Sequence, residues 1–211
     1  MSKILPITIH PHPVLQQVAE PCNGADTATL TLAEDMIATL AIADGVGLAA
    51  PQVAASKRLV IIDLGEERDD GTRNYGVKNP EVIINPEILS YGPESMVKQE
   101  GCLSLPGLWA DVERATSIVV RYMGRDGQMC EETANGFRAI VLQHEIDHLN
   151  GVLFTDRLTP ARKAVAMPKW QKLRTGLIRV GGEFDVIAAE RGLLLSREHR
   201  EALLEDEDEE E

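Results

Sequence analysis

Phe137-Arg138-Ala139-Ile140-Val141-Leu142-Gln143-His144-Glu145-Ile146-Asp147-His148-Leu149 is the stretch from which the rest of this 211-residue chain can be read. At its centre is an H-E-x-x-H sequence. Two imidazoles one helical turn apart stand on the same face with Cβ atoms roughly 5–6 Å apart, a spacing that suits one small metal ion. Glu145 is turned about 100° round the helix, so it can serve the ion's open coordination position instead of binding the ion. That makes it the candidate proton shuttle. Phe137, Ile140, Val141, His144 and His148 fall at i, i+3, i+4 spacing, so the histidines continue a face expected to be buried. Neutral imidazoles on such a face need partners, and a shared cation supplies one; a chance match on a surface helix would lack the apolar stripe.

The length is that of one ordinary domain with room for an appendage. No stretch approaches the roughly 20 apolar residues of a membrane span, and the N-terminus reads as neither signal nor transit peptide. Three scattered cysteines, Cys22, Cys102 and Cys130, argue against a disulfide framework and for a reducing compartment, so a cytoplasmic protein is expected. The net charge of −13 is uneven: Arg157 to Arg179 carry seven bases and no acid, and the chain ends in seven consecutive acids, Glu205 to Glu211. Such a run reads as a solvating, disordered tail.

Outward from the histidine helix, Asn135 and Gly136 should open it and Asn150-Gly151 close it. Upstream, Asp26 or Thr27 can cap a helix through Leu30, Ala33, Ile37 and Leu40 that ends near Asp44-Gly45. Leu59 to Leu64 reads as a buried strand, residues 65–76 as an acidic surface loop, and Val82-Ile83-Ile84 as a strand ending before Asn85-Pro86. Further strands are expected at 94–100, 110–113, 117–123 and 128–133, with Gly124-Arg125-Asp126-Gly127 as a hairpin turn. Thr159-Pro160 starts a last helix that Pro168 should interrupt or restart. Gly181-Gly182 then precedes an amphipathic piece from Val186 to Leu204. The order predicts an α+β domain: antiparallel strands packed around a central metal-binding helix, with an N-terminal helix and a helical C-terminal extension. The expected division is a catalytic unit over 1–158, the extension over 159–204 and the acidic tail over 205–211.

Gly45-Val46-Gly47-Leu48-Ala49-Ala50 matches the G-x-G-x-x-A dinucleotide fingerprint on paper, but that fingerprint needs a strand before it and a helix after it. Here a helix precedes and Pro51 follows. The glycines instead let the backbone pass close to something, such as a substrate chain. Two histidines also leave a metal short of a ligand, since catalytic sites commonly use three. A downstream Glu or His fits poorly, the nearest downstream histidine being His199. Upstream, Cys102 stands at a strand end beside Gly101, where a lone cysteine is more often a small buried apolar residue than a ligand.

Taken together, Gly45 to Gln52, Glu100-Gly101-Cys102-Leu103-Ser104 and Gln143-His144-Glu145-Ile146-Asp147-His148 resemble the three ordered motifs of the peptide deformylase family, a likeness covering about residues 4–165. The resemblance implies hydrolysis of the N-formyl group from the initiator methionine of nascent polypeptides, releasing formate. It implies Cys102, His144 and His148 as metal ligands, Glu145 as acid/base, and Gln52 with the Leu103 backbone N–H as donors to the formyl oxygen. It also implies a substrate backbone beside Val46, Gly47 and Gly101, and a methionine pocket of Phe137, Ile140, Val141, Leu103 and Val46. Trp109 departs from members that carry a basic residue there. The implied metal is Fe2+, whereas one thiolate and two imidazoles suit Zn2+ at least as well, so zinc or another divalent ion can substitute. The expected partners are formylmethionyl nascent chains and the ribosome, the latter through the basic segment, with no membrane and no specific DNA. Glu100 or Asp147 should support a ligand histidine, with Arg114 as counter-ion. An H-E-x-x-H metallopeptidase and a non-catalytic ribosome-binding homologue are the alternatives.

Overall fold

A computed structural model of the chain describes residues 2–43, 45–67 and 73–181. Asp26 sets the start of the first helix, because its carboxylate accepts from the Thr29 N–H at 2.8 Å, satisfying one of the free N–H groups of a first turn, while its carbonyl takes the first helical bond, from the Leu30 N–H at 2.9 Å. Helix α1 (Thr27–Ala43) follows. Strand β1 (Gly47–Ala49) runs into a 3-10 turn over Ala50–Val53 and is paired antiparallel with β2 (Leu59–Ile62).

The continuous apolar run of β2 is explained by burial on both faces. Side chains alternate across a strand, so Leu59 and Ile61 pack with Met36 and Leu40 of α1. Val60 and Ile62 pack on the other face with Val141, Leu142 and Ile146, which belong to α2 (Gly136–Leu149).

The acidic 65–76 stretch is more than a loop. It carries a two-stranded ribbon of β3 (Glu66–Glu67) and β4 (Arg73–Asn74). Strand β5 (Glu81–Tyr91) also runs past Asn85-Pro86, where the sequence predicts its end. Asn85 takes a φ of 51°, and the pairing register with β8 (Ser117–Met123) shifts between Ile84 and Glu87. Pro86 therefore sits in a bulge, where a strand tolerates a residue without an N–H.

Strands β6 (Ser95–Cys102) and β7 (Leu105–Ala115) form a separate antiparallel ribbon. Strand β9 (Met129–Asn135) completes the main sheet, whose order is β1-β2-β5-β8-β9. The hairpin at Gly124 to Gly127 is present, with the Gly124 N–H bonded to the Gln128 carbonyl at 2.9 Å. Mixed helices and antiparallel strands are thus the architecture. Helix α2 packs against β1, β2, β8 and β9 of the main sheet and against β7 of the ribbon, and it stops at Gly151, whose φ of 70° suits the left-handed exit of a helix.

Helix α3 (Pro160–Gly181) runs through Pro168, where the sequence predicts a break. Pro168 and Ala164, whose carbonyl loses its partner to the missing N–H, both lie on the exposed face, so water can satisfy that carbonyl. The opposite face holds the helix down: Ala166 and Trp170 are buried with Leu105, Leu108 and Val112 of β7. Arg157 and Lys163 of the basic segment pair with Asp147 and Asp156. The expected piece from Val186 to Leu204 and the acidic tail lie outside the described residues. Among the described residues no helix is long and apolar enough to cross a membrane.

Candidate metal centre and active site

The ligand atoms of Cys102, His144 and His148 come within 4.8 Å of one another, and this is the cluster of its kind among the described residues. Cys102 closes β6, whereas the histidines ride α2, one turn apart with ring centroids separated by 5.1 Å. Cys102 Sγ lies 3.2 Å from His148 Nε2. His144 Nδ1 is 2.8 Å from Glu100 Oε2, and with that N–H donated to the carboxylate, Nε2 keeps its lone pair for an ion. Phe154 stacks on the His144 ring at 6.2 Å. His148 Nδ1 and Glu145 Oε2 are buried without a hydrogen-bond partner. A thiol and two imidazoles held this close, beside a buried carboxylate oxygen without a partner, are a donor set that fits a divalent cation.

Glu145 is 4 % exposed, and burial pushes its carboxyl up to about 7, with the His144 charge opposing the rise. Burial would likewise raise Glu100, but the hydrogen bonds from His144 and Arg114 outweigh it and hold that carboxyl at about 2. His148 is lowered by burial and by the His144 charge. His144 is lowered by burial too, yet Cys102 and Glu100 raise it further than that.

Behind the histidines lies a buried ionic chain. Arg114 Nε donates to Glu100 Oε1 at 2.8 Å, its second terminal nitrogen to Glu100 Oε2 at 3.0 Å, and its first to Asp147 Oδ2 at 2.5 Å. Arg157 closes the chain from the outside, reaching both Asp147 oxygens at 3.0 and 2.5 Å. Two carboxylates face two guanidiniums, Arg114 buried and Arg157 half exposed, so neither buried carboxylate is left unpaired.

Gln52 is buried with its amide orientation fixed. Its Oε1 accepts from the Ala49 N–H at 2.8 Å, which turns Nε2 toward Cys102 Sγ at 3.5 Å and Ser104 Oγ at 3.4 Å. The chain's N-terminal segment stitches these loops together, with the Thr8 N–H on the Gln52 carbonyl at 2.7 Å and the His10 N–H on the Ser104 carbonyl at 2.9 Å.

A family model for polypeptide deformylase matches residues 4–164. The chain belongs to the polypeptide deformylase family. A peptide deformylase of Mesorhizobium japonicum is 44% identical over 170 residues, 81% of this chain and 93% of the relative. The crystal structure of a peptide deformylase from Legionella pneumophila superposes with a TM-score of 0.69 at 39% identity, covering 82% of this chain and 96% of that one. A Met-Ala-Ser-bound peptide deformylase from Acinetobacter baumannii superposes with a TM-score of 0.67 at 39% identity, covering 75% of this chain and 100% of that one.

The other residues expected from the deformylase motifs fall as follows. The fold brings Val46, Phe137 and Val141 into one apolar cluster. Ile140 is buried outside it, and Leu103 packs on the α1 side of the sheet, its Cδ1 3.2 Å from where a Gly45 Cβ would lie. Gly47 lies beside Glu145, and Gly101 beneath the Trp109 ring. Sequence reasoning missed three supports. Gln143 pins α2 to β7 by bonding the Ala115 carbonyl at 2.8 Å and its N–H at 3.2 Å. Ser104, fully buried, faces Gln52. Arg157 is the second cation on Asp147. Gln143 and Ser104 stand inside the motifs, whereas nothing local marks Arg157.

Proposed function

We propose that the Cys102, His144 and His148 cluster holds a divalent metal and that this deformylase uses it to remove the formyl group from the N-terminal formyl-methionine of new polypeptides, releasing formate. The observation that carries this reading is the meeting of three donor atoms within 4.8 Å beside a buried carboxylate oxygen without a partner. When bound, the ion supplies Lewis acidity and brings water close to deprotonation at neutral pH. Fe2+ is the metal proposed, with Zn2+ or another divalent ion able to occupy the same donors.

In this reading Glu145 takes the water's proton at Oε2. Its raised value of about 7 leaves the carboxyl able both to accept and to return a proton near neutral pH. Gln52 Nε2, locked by Ala49, and the Leu103 N–H receive the negative charge that grows on the formyl oxygen; one such donor is typically worth about 10²–10³ in rate. Glu145 then passes its proton to the departing amine.

Among the described residues strand β1 pairs only with β2, and β6 only with β7. Each therefore offers an open edge, near Val46 and Gly47 on one side and Gly101 on the other, to an extended substrate chain. Phe137, Ile140, Val141, Leu103 and Val46 are the proposed methionine pocket. The catalytic unit is assigned to 1–158, the extension to 159–204 and the tail to 205–211. The cytoplasm is the proposed compartment, where the free cysteines stay reduced.

Formate release from formyl-Met-Ala-Ser by anaerobically purified protein, with metal analysis of the same sample, is the test. Cleavage of internal peptide bonds without formate release would favour the metallopeptidase alternative. The basic segment is proposed to meet the ribosome. Because Trp170 is part of the core, the fitting test is charge reversal at exposed Lys169 with ribosome co-sedimentation in low salt, and unchanged binding would remove that partner.

A further inference from the structure

On the outer face of the β6–β7 ribbon stands an aromatic group that the reaction above leaves unused. Trp109 is 50% exposed, and its register partner is Gly101, the residue before Cys102. A Cβ placed on Gly101 would meet Trp109 Cε3 and Cζ3 at 2.9 Å and Cδ2 at 3.0 Å. The indole thus fills the space that a side chain at 101 would take. Glu100 and Arg114 of the same ribbon are buried toward α2, and alternation along each strand turns Gly101 and Trp109 the other way.

The free edge of β6 makes this placement consequential. In an extended chain laid along that edge, successive side chains point to opposite faces. If methionine turns inward to Phe137 and Val141, the side chain of the next residue turns outward, onto the face that carries Trp109. A Cβ at position 101 would stand between them. Glycine leaves the way open, so the indole reaches across β6 toward the incoming chain.

We infer that Trp109 is a specificity-determining residue for the position after formyl-methionine, favouring an aromatic or large apolar side chain that packs on the indole. This rests on the deformylase reading of the site. The competing role for Trp109 is to cover the Gly101 backbone and stabilise the ribbon, which changes stability but not substrate preference.

The test is kcat/KM of the metal-loaded full chain on formyl-Met-Phe-Ser and formyl-Met-Ala-Ser, for the wild type, Trp109→Leu and Trp109→Ala. The wild type is expected to favour the Phe peptide by about three- to tenfold, the range of one aromatic contact. That ratio should shrink in Trp109→Leu and approach one in Trp109→Ala. A wild-type ratio of one overturns the inference even if neither variant folds, and so does a ratio unchanged by both substitutions. Formate release from both peptides at equal efficiency leaves the deformylase reading standing without the Trp109 role; no formate from either removes both.

Discussion

Gly47 lies directly against the Glu145 carboxylate. A Cβ at position 47 would overlap Oε1 and come 2.7 Å from Cδ and 2.9 Å from Cγ. Strand alternation puts Gly47 and Ala49 on the face of β1 that looks at α2, so the main sheet forms the floor on which the proton carrier rests. Gly47→Ala should push Glu145 aside. The expected loss is about 10²-fold in kcat, as for a reacting group misplaced by about an ångström, with an overpacking cost of about 1–3 kcal/mol. Steady-state rates and urea unfolding on the same preparation separate the two effects; full activity would mean that the position of Glu145 is not critical.

Replacing Glu145 by Gln keeps size and hydrogen bonding and deletes the proton acceptor. Metal content should persist while formate release falls by about 10²–10⁴-fold. Cys102→Ser exchanges a soft anionic ligand for a neutral hydroxyl, so metal itself should be lost on dialysis. Elemental analysis alongside turnover checks both, and a Cys102→Ser protein with full metal and full activity would contradict the ligand set.

Arg114 is shared by Glu100 and Asp147 in a buried site, its side chain 4% exposed. Arg114→Met leaves two buried carboxylates facing only Arg157 and His144. Breaking a buried pair from one side costs about 3–5 kcal/mol, and that is the expected drop in urea-unfolding stability. Arg114→Lys should restore only part of it, because one ammonium cannot make the forked contacts to two carboxylates. A loss under about 1 kcal/mol would point to water reaching the chain.

The docking of α3 should depend on pH. Trp170 Nε1 donates to His10 Nδ1 at 3.2 Å, which requires a neutral imidazole. Burial lowers His10 from its ordinary 6.5, with Arg174 and Lys163 adding to the fall and Asp156 opposing it. The unfolded chain therefore binds this proton more readily than the folded one. The contribution is present in full above about 6.5, and it is lost as the pH falls from there through the folded value. His10→Asn, which keeps an acceptor and cannot titrate, should flatten this part of the stability profile. Chemical unfolding of both proteins in the metal-free form between pH 5 and 8 (roughly the window in which histidine titrates) gives the comparison, and identical slopes would discard the assignment.

What the sequence determined by itself was local. Residues three and four apart on a helix must share a face, so the His144/Glu145/His148 geometry, the Asp26 cap and the Gly151 stop are legible from spacing alone. The alternation that marks β8 and the turn at Gly124 to Gly127 are equally short-range. Cys102 could be singled out only because its motif resembles a known one; its chemistry alone favoured a core residue.

Tertiary structure decided the rest, because pairing register and docking depend on residues far apart in the chain. Local rules end β5 at Pro86 and break α3 at Pro168, but a bulge absorbs the first and an exposed helix face the second. Arg157 looks like an ordinary surface base until the loop after α2 folds against Asp147, and only the packing of the ribbon on α2 lets the expected counter-ion Arg114 bridge both Glu100 and Asp147. No spacing within Gly45 to Gln52 reveals that the missing Cβ of Gly47 makes room for a carboxylate 98 residues later. That space exists only once β1 and α2 are packed face to face.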